Sequence, residues 1–381
     1  MKIAVNCWVL RNKQLDGIGY FVVNALPLMI KNHPEVTFIL LCDKNFKEAY
    51  FEFPNVVIRR VFPPYRHPLL YIFYFECILP VLLSIWKPDI FLSMDGFLSL
   101  FSRVRQVPVI YDLNFEHYPE NIALKNRLYF RFFFHRFARK AARIATISEY
   151  SKNDISQTYG IPGGKIDNVS CGIKFSMNGL NEAEKNLVRQ KYASGHNYFL
   201  FVGSMHPRKN LPRMIKAFEE FKGRTKSELK LLISGVLLWN KSELLNAYEA
   251  SPYKEDILFA GRLSDEELKK VLCAAQALIF VPLFEGFGLP IVEAFEAGVP
   301  VLTSDVTSLP EVGGDAVLYA DPFSIESIAA GMEKLYYNRD GLSQHLVSRG
   351  NERKKQFTWE GTAVLLWECL ARAGDSTQIM Q

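Results

Sequence analysis

Short β-branched and aromatic runs alternate along the chain with longer segments whose apolar positions recur at helical spacing. That alternation predicts strands joined by crossover helices in parallel sheets. In the first half the strand pattern falls at 2–6, 36–42, 56–61, 89–93, 107–111, 143–147 and 165–169. In the second it falls at 198–202, 229–234, 256–259, 277–281, 299–303 and 316–319, with helical patterns near 211–222, 242–249, 265–274, 290–297 and 325–337. Between the halves, at 174–196, the strand pattern lapses into a polar stretch that reads as linker plus a short helix. The expected fold class is α/β, two Rossmann-like domains over 1–173 and 174–357 facing across a central cleft, with ligands outside the carboxyl ends of the strands. A last helical pattern at 358–373 has an apolar face of Val364, Leu365, Trp367 and Leu370 that must dock on something already folded.

Composition narrows the function classes. A chain of 381 residues, 49% hydrophobic, can bury two cores. Its 45 Lys+Arg against 40 Asp+Glu leave a net charge of +5, too mild for a nucleic-acid-coating protein, and no nucleic-acid partner is expected. Six cysteines without C-x-x-C or zinc-spaced histidines argue against a disulfide framework or structural metal, so a reducing, cytoplasmic setting is expected. The opening MKIAVNCWVL lacks the parts of a secretory leader. Leu69–Trp86 is nearly apolar and eighteen residues long, the lower limit for a membrane span. Glu76 and Pro80 interrupt it, and a carboxylate at mid-bilayer costs ~2.5–3.5 kcal/mol, so it reads as a buried or interfacial helix.

The loops after the strands carry the candidate chemistry. In Phe284–Pro300, FEGFGLPIVEAFEAGVP, Gly286 and Gly288 let backbone N–H groups approach a ligand, and Pro290 suits the first turn of the next helix. The positive end of that helix is an anion site suited to a diphosphate, with Phe287 and Leu289 part of the loop. Glu285 and Glu293 stand in that loop and, as expected here, in the first helical turn, where a carboxylate suits vicinal hydroxyls or merely offsets the helix dipole. After the strand at 198–202 comes Gly203-Ser204-Met205-His206-Pro207-Arg208-Lys209-Asn210, whose adjacent cations suit phosphate oxygens. Asp16-Gly17-Ile18-Gly19 follows the first strand. With Val22 in the third glycine place it does not complete a dinucleotide fingerprint, and an ordinary strand-to-helix turn explains it equally well. Tyr111 and Asp112 close the strand at 107–111, with Asp112 either facing the cleft or capping a turn. The backbone around Arg262 and Leu263, after another strand, is placed to pair with a base edge.

The segment 125–143 contains seven Lys/Arg and no acid, and 121–148 has no Asp or Glu at all. On a helical wheel Phe130, Phe133, Phe134, Phe137 and Ala141 form one stripe and Arg127, Arg131, His135 and Arg139 another. Such a helix either lies on an anionic leaflet or packs its phenylalanines inward. With 69–86 it makes a candidate peripheral membrane contact, on the inner face of the cytoplasmic membrane.

Taken together, E-x7-E at Glu285–Glu293, its continuation EAFEAGVPVLTSDVTSLPEVGGDAVLYADP, the GSMHPRKNL loop and the DGIG turn resemble the GT4 family of retaining glycosyltransferases with the GT-B fold. The resemblance implies a hexosyltransferase, mannosyl- or related, acting in envelope polysaccharide synthesis on a saccharide or lipid-linked acceptor. It implies a nucleoside-diphosphate sugar as donor, with no cofactor or metal. Glu293 would hold the ribose hydroxyls; Glu285 and Gly286–Leu289 would contact sugar and diphosphate; Arg208 and Lys209 would neutralise the diphosphate. Gly17 and Gly19 would let the first domain approach the leaving group, and the last segment, 358–381, would return to that domain. The chain departs from the family at Ser204, where many members have Arg, and at Tyr111-Asp112, where many have His-Asp; Tyr111 is expected to donate one hydrogen bond to the sugar instead. A nicotinamide oxidoreductase, a non-catalytic nucleotide-sugar binder and a UDP-sugar epimerase are the competing classes.

Overall fold

In the computed structural model, which describes residues 1–11, 15–61, 68–173, 179–236 and 242–374, the chain clusters into two units, Met1–Gly172 with Phe357–Gln381 and Ile173–Gln356. Each rests on an open, all-parallel sheet whose central strands are buried on both faces, which is why they read as continuous apolar runs rather than alternating ones. In the first unit β1 (Lys2–Asn6), β2 (Thr37–Cys42), β3 (Val56–Arg60), β4 (Ile90–Ser93) and β5 (Arg105–Pro108) take the order β3-β2-β1-β4-β5, and β6 (Ile144–Thr146) pairs with β7 (Ile166–Asn168). The strand expected at 107–111 is displaced towards the amino end. β5 closes at Pro108, which offers no N–H to a ladder. Beyond it the Val109 N–H donates to the Ser93 carbonyl (2.8 Å) and the Ile110 N–H to that of Ala145 (2.9 Å), so the chain crosses from β4 to β6. Tyr111 and Asp112 therefore lie in a loop, not on a strand.

The second unit orders β8 (Tyr198–Val202), β9 (Lys230–Ser234), β10 (Ile257–Gly261), β11 (Ala277–Phe280), β12 (Val301–Ser304) and β13 (Leu318–Ala320) as β10-β9-β8-β11-β12-β13. Strand order reverses between β8 and β11, the switch point where open sheets bind ligands. Of the expected linker, 174–178 lie outside the described residues; the rest contains the helix Glu182–Ala193, opened by a capping box between Asn181 and Glu184.

The near-span segment is helical in three pieces: Pro68–Ile72, a π-helical turn Phe73–Ile78 and Leu79–Trp86. Pro80 cannot donate to the carbonyl one turn back and its ring crowds that group. The widened turn, in which the Leu79 N–H donates to the Tyr74 carbonyl, absorbs the misfit. Glu76 accepts from the N–H groups of Leu100 (2.9 Å) and Phe101 (3.3 Å). Among the described residues no helix is long and apolar enough to cross a membrane.

The basic helix spans Leu124–Lys140, and Tyr129, Phe133, Phe134 and Phe137 sit in the first unit's core beside Phe75, Leu79 and Phe91. The phenylalanine stripe is thus committed inward. The last helix, Trp359–Ala373, also differs from its expected face: Val364 and Leu365 are exposed, whereas Trp359, Leu366, Cys369 and Leu370 are buried. It lies on the helix Gly17–Asn32, with Trp359 edge-on to Phe21 (5.9 Å) and Trp367 stacked on His33 (3.5 Å). The chain passes so close to Trp359 at Gly172 that a Cβ there would lie 2.5 Å from the indole.

Asp167 fastens this helix by accepting from Arg143 (2.6 and 2.9 Å) and Arg372 (2.7 Å). Burial pushes its carboxyl up, but the guanidinium groups outweigh that and hold it below the ordinary aspartate range. A depressed carboxyl stabilises the fold above its unfolded pKa and stops doing so as pH falls through the folded one. Asp167→Asn is expected to lower the melting temperature at neutral pH, with the difference from wild type closing as pH drops below about 4 in a thermal-melt series.

Candidate active site

The loops at the carboxyl ends of the second unit's strands are stitched together by backbone. Gly203, after β8, has φ +150° and donates its N–H to the Ser234 carbonyl (3.0 Å). Gly235, after β9, has φ +157°; a Cβ there would overlap the Gly203 carbonyl oxygen, and its N–H donates to the Gly261 carbonyl (2.9 Å). Arg262 and Leu263 come next, the first exposed and the second half-buried, beyond edge strand β10.

Past the half-buried Ser204 the chain makes one 3-10 turn, Pro207–Lys209. Asn210 ends it in the left-handed region (φ +65°), a conformation asparagine tolerates, and donates to the carbonyls of Val281 (3.0 Å) and Pro322 (2.7 Å). The Arg208 carbonyl accepts from the Leu283 N–H at 2.7 Å. The loop after β8 is thereby clamped to those after β11 and β13. The result is a cluster in which Glu285 Oε1 accepts from Arg208 Nη1 at 2.7 Å and from Lys209 Nζ. Lys209 and Glu285 are 7% and 8% exposed, so the pairing takes place out of bulk water. Burial alone would raise the Glu285 carboxyl; the two cations outweigh it and leave it below the usual glutamate range.

The glycine loop is shaped as its sequence suggests. Gly288 (φ +108°) precedes the helix Leu289–Ala297, and a Cβ on it would stand 2.9 Å from Leu309. Ser308 Oγ bridges the carbonyls of Glu285 and Phe287, both at 3.0 Å, across the buried Gly286. Thr307 is held at φ +59°, which for a β-branched residue stores ~1–3 kcal/mol, and its Oγ1 accepts from the Glu285 N–H at 3.3 Å. Glu293 is not in the first helical turn as expected: it is the fifth residue of the helix, 5% exposed. Offsetting the helix dipole is therefore a poor account of it.

In the first unit Asp16 caps the helix Gly17–Asn32, its Oδ1 accepting from the Gly19 N–H at 2.9 Å. Gly17 and Gly19 both lie in the first turn, the strand-to-helix geometry that needs no ligand to explain it. Residues 12–14 of this loop lie outside the described residues. The expectation for Tyr111 needs correction: its hydroxyl donates its one proton to the Met94 carbonyl (3.0 Å), and its ring meets Phe21 edge-on. Asp112 accepts from the N–H of Asn114 (3.0 Å) and from its side-chain amide, which is the turn-capping role.

Four residues were not singled out from sequence. Asn210 and Gly235 carry the loop clamp and Thr307 the strain; only their position after strands marks them. The fourth is Asp95, after β4, which accepts from Asn6 Nδ2 (2.8 Å) and Ser93 Oγ (2.9 Å). Burial pushes its carboxyl up to about 6 against those hydrogen bonds.

Two Rossmann-like parallel-sheet units of this construction define the GT-B fold of nucleotide-sugar-dependent transferases. Over residues 183–353 the chain matches the family described as Glycosyl transferases group 1 and over 15–176 that described as Glycosyltransferase Family 4. It is 32% identical over 257 residues to O-antigen chain mannosyltransferase B of Escherichia coli, covering 67% of each chain. It is 25% identical over 314 residues to O-antigen chain mannosyltransferase RfbU of Salmonella typhimurium, covering 80% of this chain and 83% of that one. The match to the serotype-specific mannosyltransferase WbdA of Escherichia coli, 26% identical, takes in 63% of this chain but only 30% of that one. Among solved structures, Anabaena HepE in complex with UDP and glucose superposes with a TM-score of 0.74 at 16% identity, covering 97% of this chain and 99% of that one. WaaG, a glycosyltransferase involved in lipopolysaccharide biosynthesis, gives 0.70 at 16%, with 95% and 99% covered. The chain belongs to the GT4 glycosyltransferases.

Two outcomes follow from the geometry. Glu285→Gln removes the charge that Arg208 and the buried Lys209 share and should cost about 3–5 kcal/mol of stability. Added pyrophosphate should recover part of the lost melting temperature, and no recovery would count against an anion site there. Asp95 has a raised folded pKa, so its contribution is present below the unfolded value and declines as pH climbs from about 4 to about 6. Asp95→Asn should flatten that part of the stability profile in urea titrations.

Proposed function

We propose that this glycosyltransferase moves a hexose, with mannose the leading candidate, from a nucleoside-diphosphate sugar to a hydroxyl of a saccharide or lipid-linked acceptor, with retained anomeric configuration, in envelope polysaccharide synthesis. The acceptor is met at the inner face of the cytoplasmic membrane. The mannosyltransferase relatives support the sugar and the polysaccharide setting. The single observation that carries the chemistry is the enclosed Arg208–Lys209–Glu285 cluster at the switch point of the second sheet.

Expelling a diphosphate while an oxocarbenium-like centre develops makes leaving-group charge the main thing to stabilise. Two cations held against one carboxylate leave a net positive charge in a site shielded from water, where it is worth more than on the surface. Glu285 holds both heads in place before the donor arrives, so little reorganisation remains when the phosphate charge grows. The N-terminus of the helix Leu289–Ala297 adds the positive end of its dipole behind Gly286 and Gly288. In this reading Glu293 holds the ribose hydroxyls, the backbone near Arg262 and Leu263 meets the base, and Gly17 and Gly19 admit the acceptor. In keeping with the family resemblance, the departing phosphate receives the acceptor proton; among the described residues Glu285 is paired with Arg208 and Lys209 rather than with a second carboxylate. Tyr111 and Asp112 act by shaping the acceptor side, their hydrogen bonds being turned inward. These cations take the part a divalent ion has in other transferases, and turnover should persist in EDTA.

A thermal-shift panel of GDP-, UDP-, ADP- and CMP-sugars tests the donor. A true donor at 100 times its Kd should add ~2.7 kcal/mol of stability, and a flat response across the panel would end the proposal. Lys209→Ala should abolish that shift and lower kcat/KM by roughly a hundredfold or more while far-UV circular dichroism stays native.

A further inference from the structure

At Asp167, Asp256 and Glu285, carboxylates drawn away from solvent are each matched by two cations: Arg143 with Arg372, Lys222 with Lys230, and Arg208 with Lys209. Asp95, just past the carboxyl end of β4, is held instead by neutral donors, Asn6 Nδ2 at 2.8 Å and Ser93 Oγ at 2.9 Å. Both donate to the same oxygen, Oδ1, so neither takes up the acceptor capacity of Oδ2. Asn6 and Ser93 are buried, whereas Asp95 keeps partial access to solvent. A carboxylate withdrawn from water without a cation is costly to keep, and an outside donor reaching its open side would offset that cost.

The position is held from several sides. Asn6 and Ser93 face each other in register as the last residues of β1 and β4, the strands between which the first sheet reverses its order. The Asn6 amide is oriented at both ends, its Oδ1 accepting from the Trp8 N–H (3.4 Å) while Nδ2 points at Asp95. Tyr111 donates to the carbonyl of Met94, the residue before Asp95. Gly96, the residue after it, turns at φ +84°, where a Cβ would stand 3.3 Å from the Phe134 ring. The ionisable groups nearby are Cys7 with its hydrogen-bond partner Cys42, the phenols of Tyr74, Tyr111 and Tyr129, and Asp16, which acts on Tyr111. Burial raises the Cys7 thiol and the three phenols, so they stay neutral while the Asp95 carboxyl, pushed up to about 6, changes charge.

We propose that Asp95 binds a hydroxyl of the saccharide acceptor through Oδ2, and that this contact selects pyranosides bearing a free hydroxyl at that point of the ring. A neutral polyol suits such a site: its hydroxyl donates to the carboxylate in a charge-assisted bond without bringing a second charge to be desolvated. An ammonium group brings that second charge. A divalent cation needs several oxygen ligands, and among the described residues no group of three or more His, Cys, Asp or Glu side chains is placed to hold one. A pocket that hydrogen-bonds a hydroxyl rejects the analogue lacking it, because its own buried polar atom is then left unsatisfied. The inference rests on the reading of the first unit as the acceptor side, and adds the residue and the atom that recognise the sugar. Proton transfer stays with the departing phosphate.

The test is isothermal calorimetry of the full chain, without donor, against the methyl α-pyranosides of mannose, glucose, galactose and N-acetylglucosamine, then against monodeoxy analogues of the best binder. Wild type should bind at least one of the four, more tightly as pH rises through about 6, and should disfavour one deoxy analogue by roughly tenfold or more. Asp95→Asn keeps the shape of the side chain but should weaken binding by about tenfold, flatten the pH profile and lose the discrimination against that analogue. Ser93→Ala removes a donor that favours the ionised form, so the midpoint of the pH profile should move up while affinity well above it stays near wild type. Both variants should keep the wild-type donor thermal shift, which separates this inference from misfolding. Pyranoside binding that depends on Asp95 in a chain showing no donor shift would support it while ending the donor reading. No heat from any of the four pyranosides with wild type, an Asp95→Asn variant with the wild-type pH profile, or a Ser93→Ala midpoint that stays in place would each overturn it.

Discussion

Two cations sharing one carboxylate away from bulk water is an arrangement that needs a rigid frame, because enclosed charges are tolerated only when their geometry is held. Arg208, Lys209 and Glu285 obtain it from four loops, those after β8, β11, β12 and β13. Asn210 ties the first to the strands beside it, the Leu283 amide closes on the Arg208 carbonyl, and Thr307 and Ser308 brace the glutamate loop from below. Taking any one of these away leaves the charges but not their register. The strain at Thr307 is therefore best understood as a cost carried for the position of Glu285.

The same logic explains where glycine is required. Gly203 and Gly235 let two loop backbones touch, and Gly288 opens a helix while lying against Leu309. Gly235 removes a Cβ where the Gly203 main chain comes close, while Gly203 and Gly288 hold positive φ, all three at the carboxyl edge of one sheet. Parallel strands end their backbone hydrogen bonding at that edge, so amides and carbonyls there are either tied to one another or available to a ligand.

Much of this was legible from residue pattern. β8, and the helices at 242–249, 265–274 and 325–337, fall where periodicity puts them, because buried parallel strands and amphipathic helices leave opposite periods. The cations and the E-x7-E segment were also visible. What was not visible depended on single hydrogen bonds. Pro108 shortened β5 and moved Tyr111 and Asp112 into a loop, where one donates to Met94 and the other caps Asn114. Glu293 lies one residue deeper than expected, past the first turn, because the helix begins at Leu289. Asp95 had no motif around it, since its surroundings come from Asn6 and Ser93 on two strands far apart in sequence.

The helix Leu124–Lys140 shows a different limit. Its sequence contains two apolar rows, one through Phe130, Phe133 and Phe137 and one through Leu124, Leu128 and Phe132, and both satisfy helical spacing. Periodicity reports that a stripe exists but not which one meets the sheet. Bulk decides here: the first row is entirely aromatic and interlocks with Phe97, Phe115 and Tyr129, a fit that leucines at 124 and 128 would leave full of voids. The smaller row is left outside, next to cations that no acid of the same helix offsets.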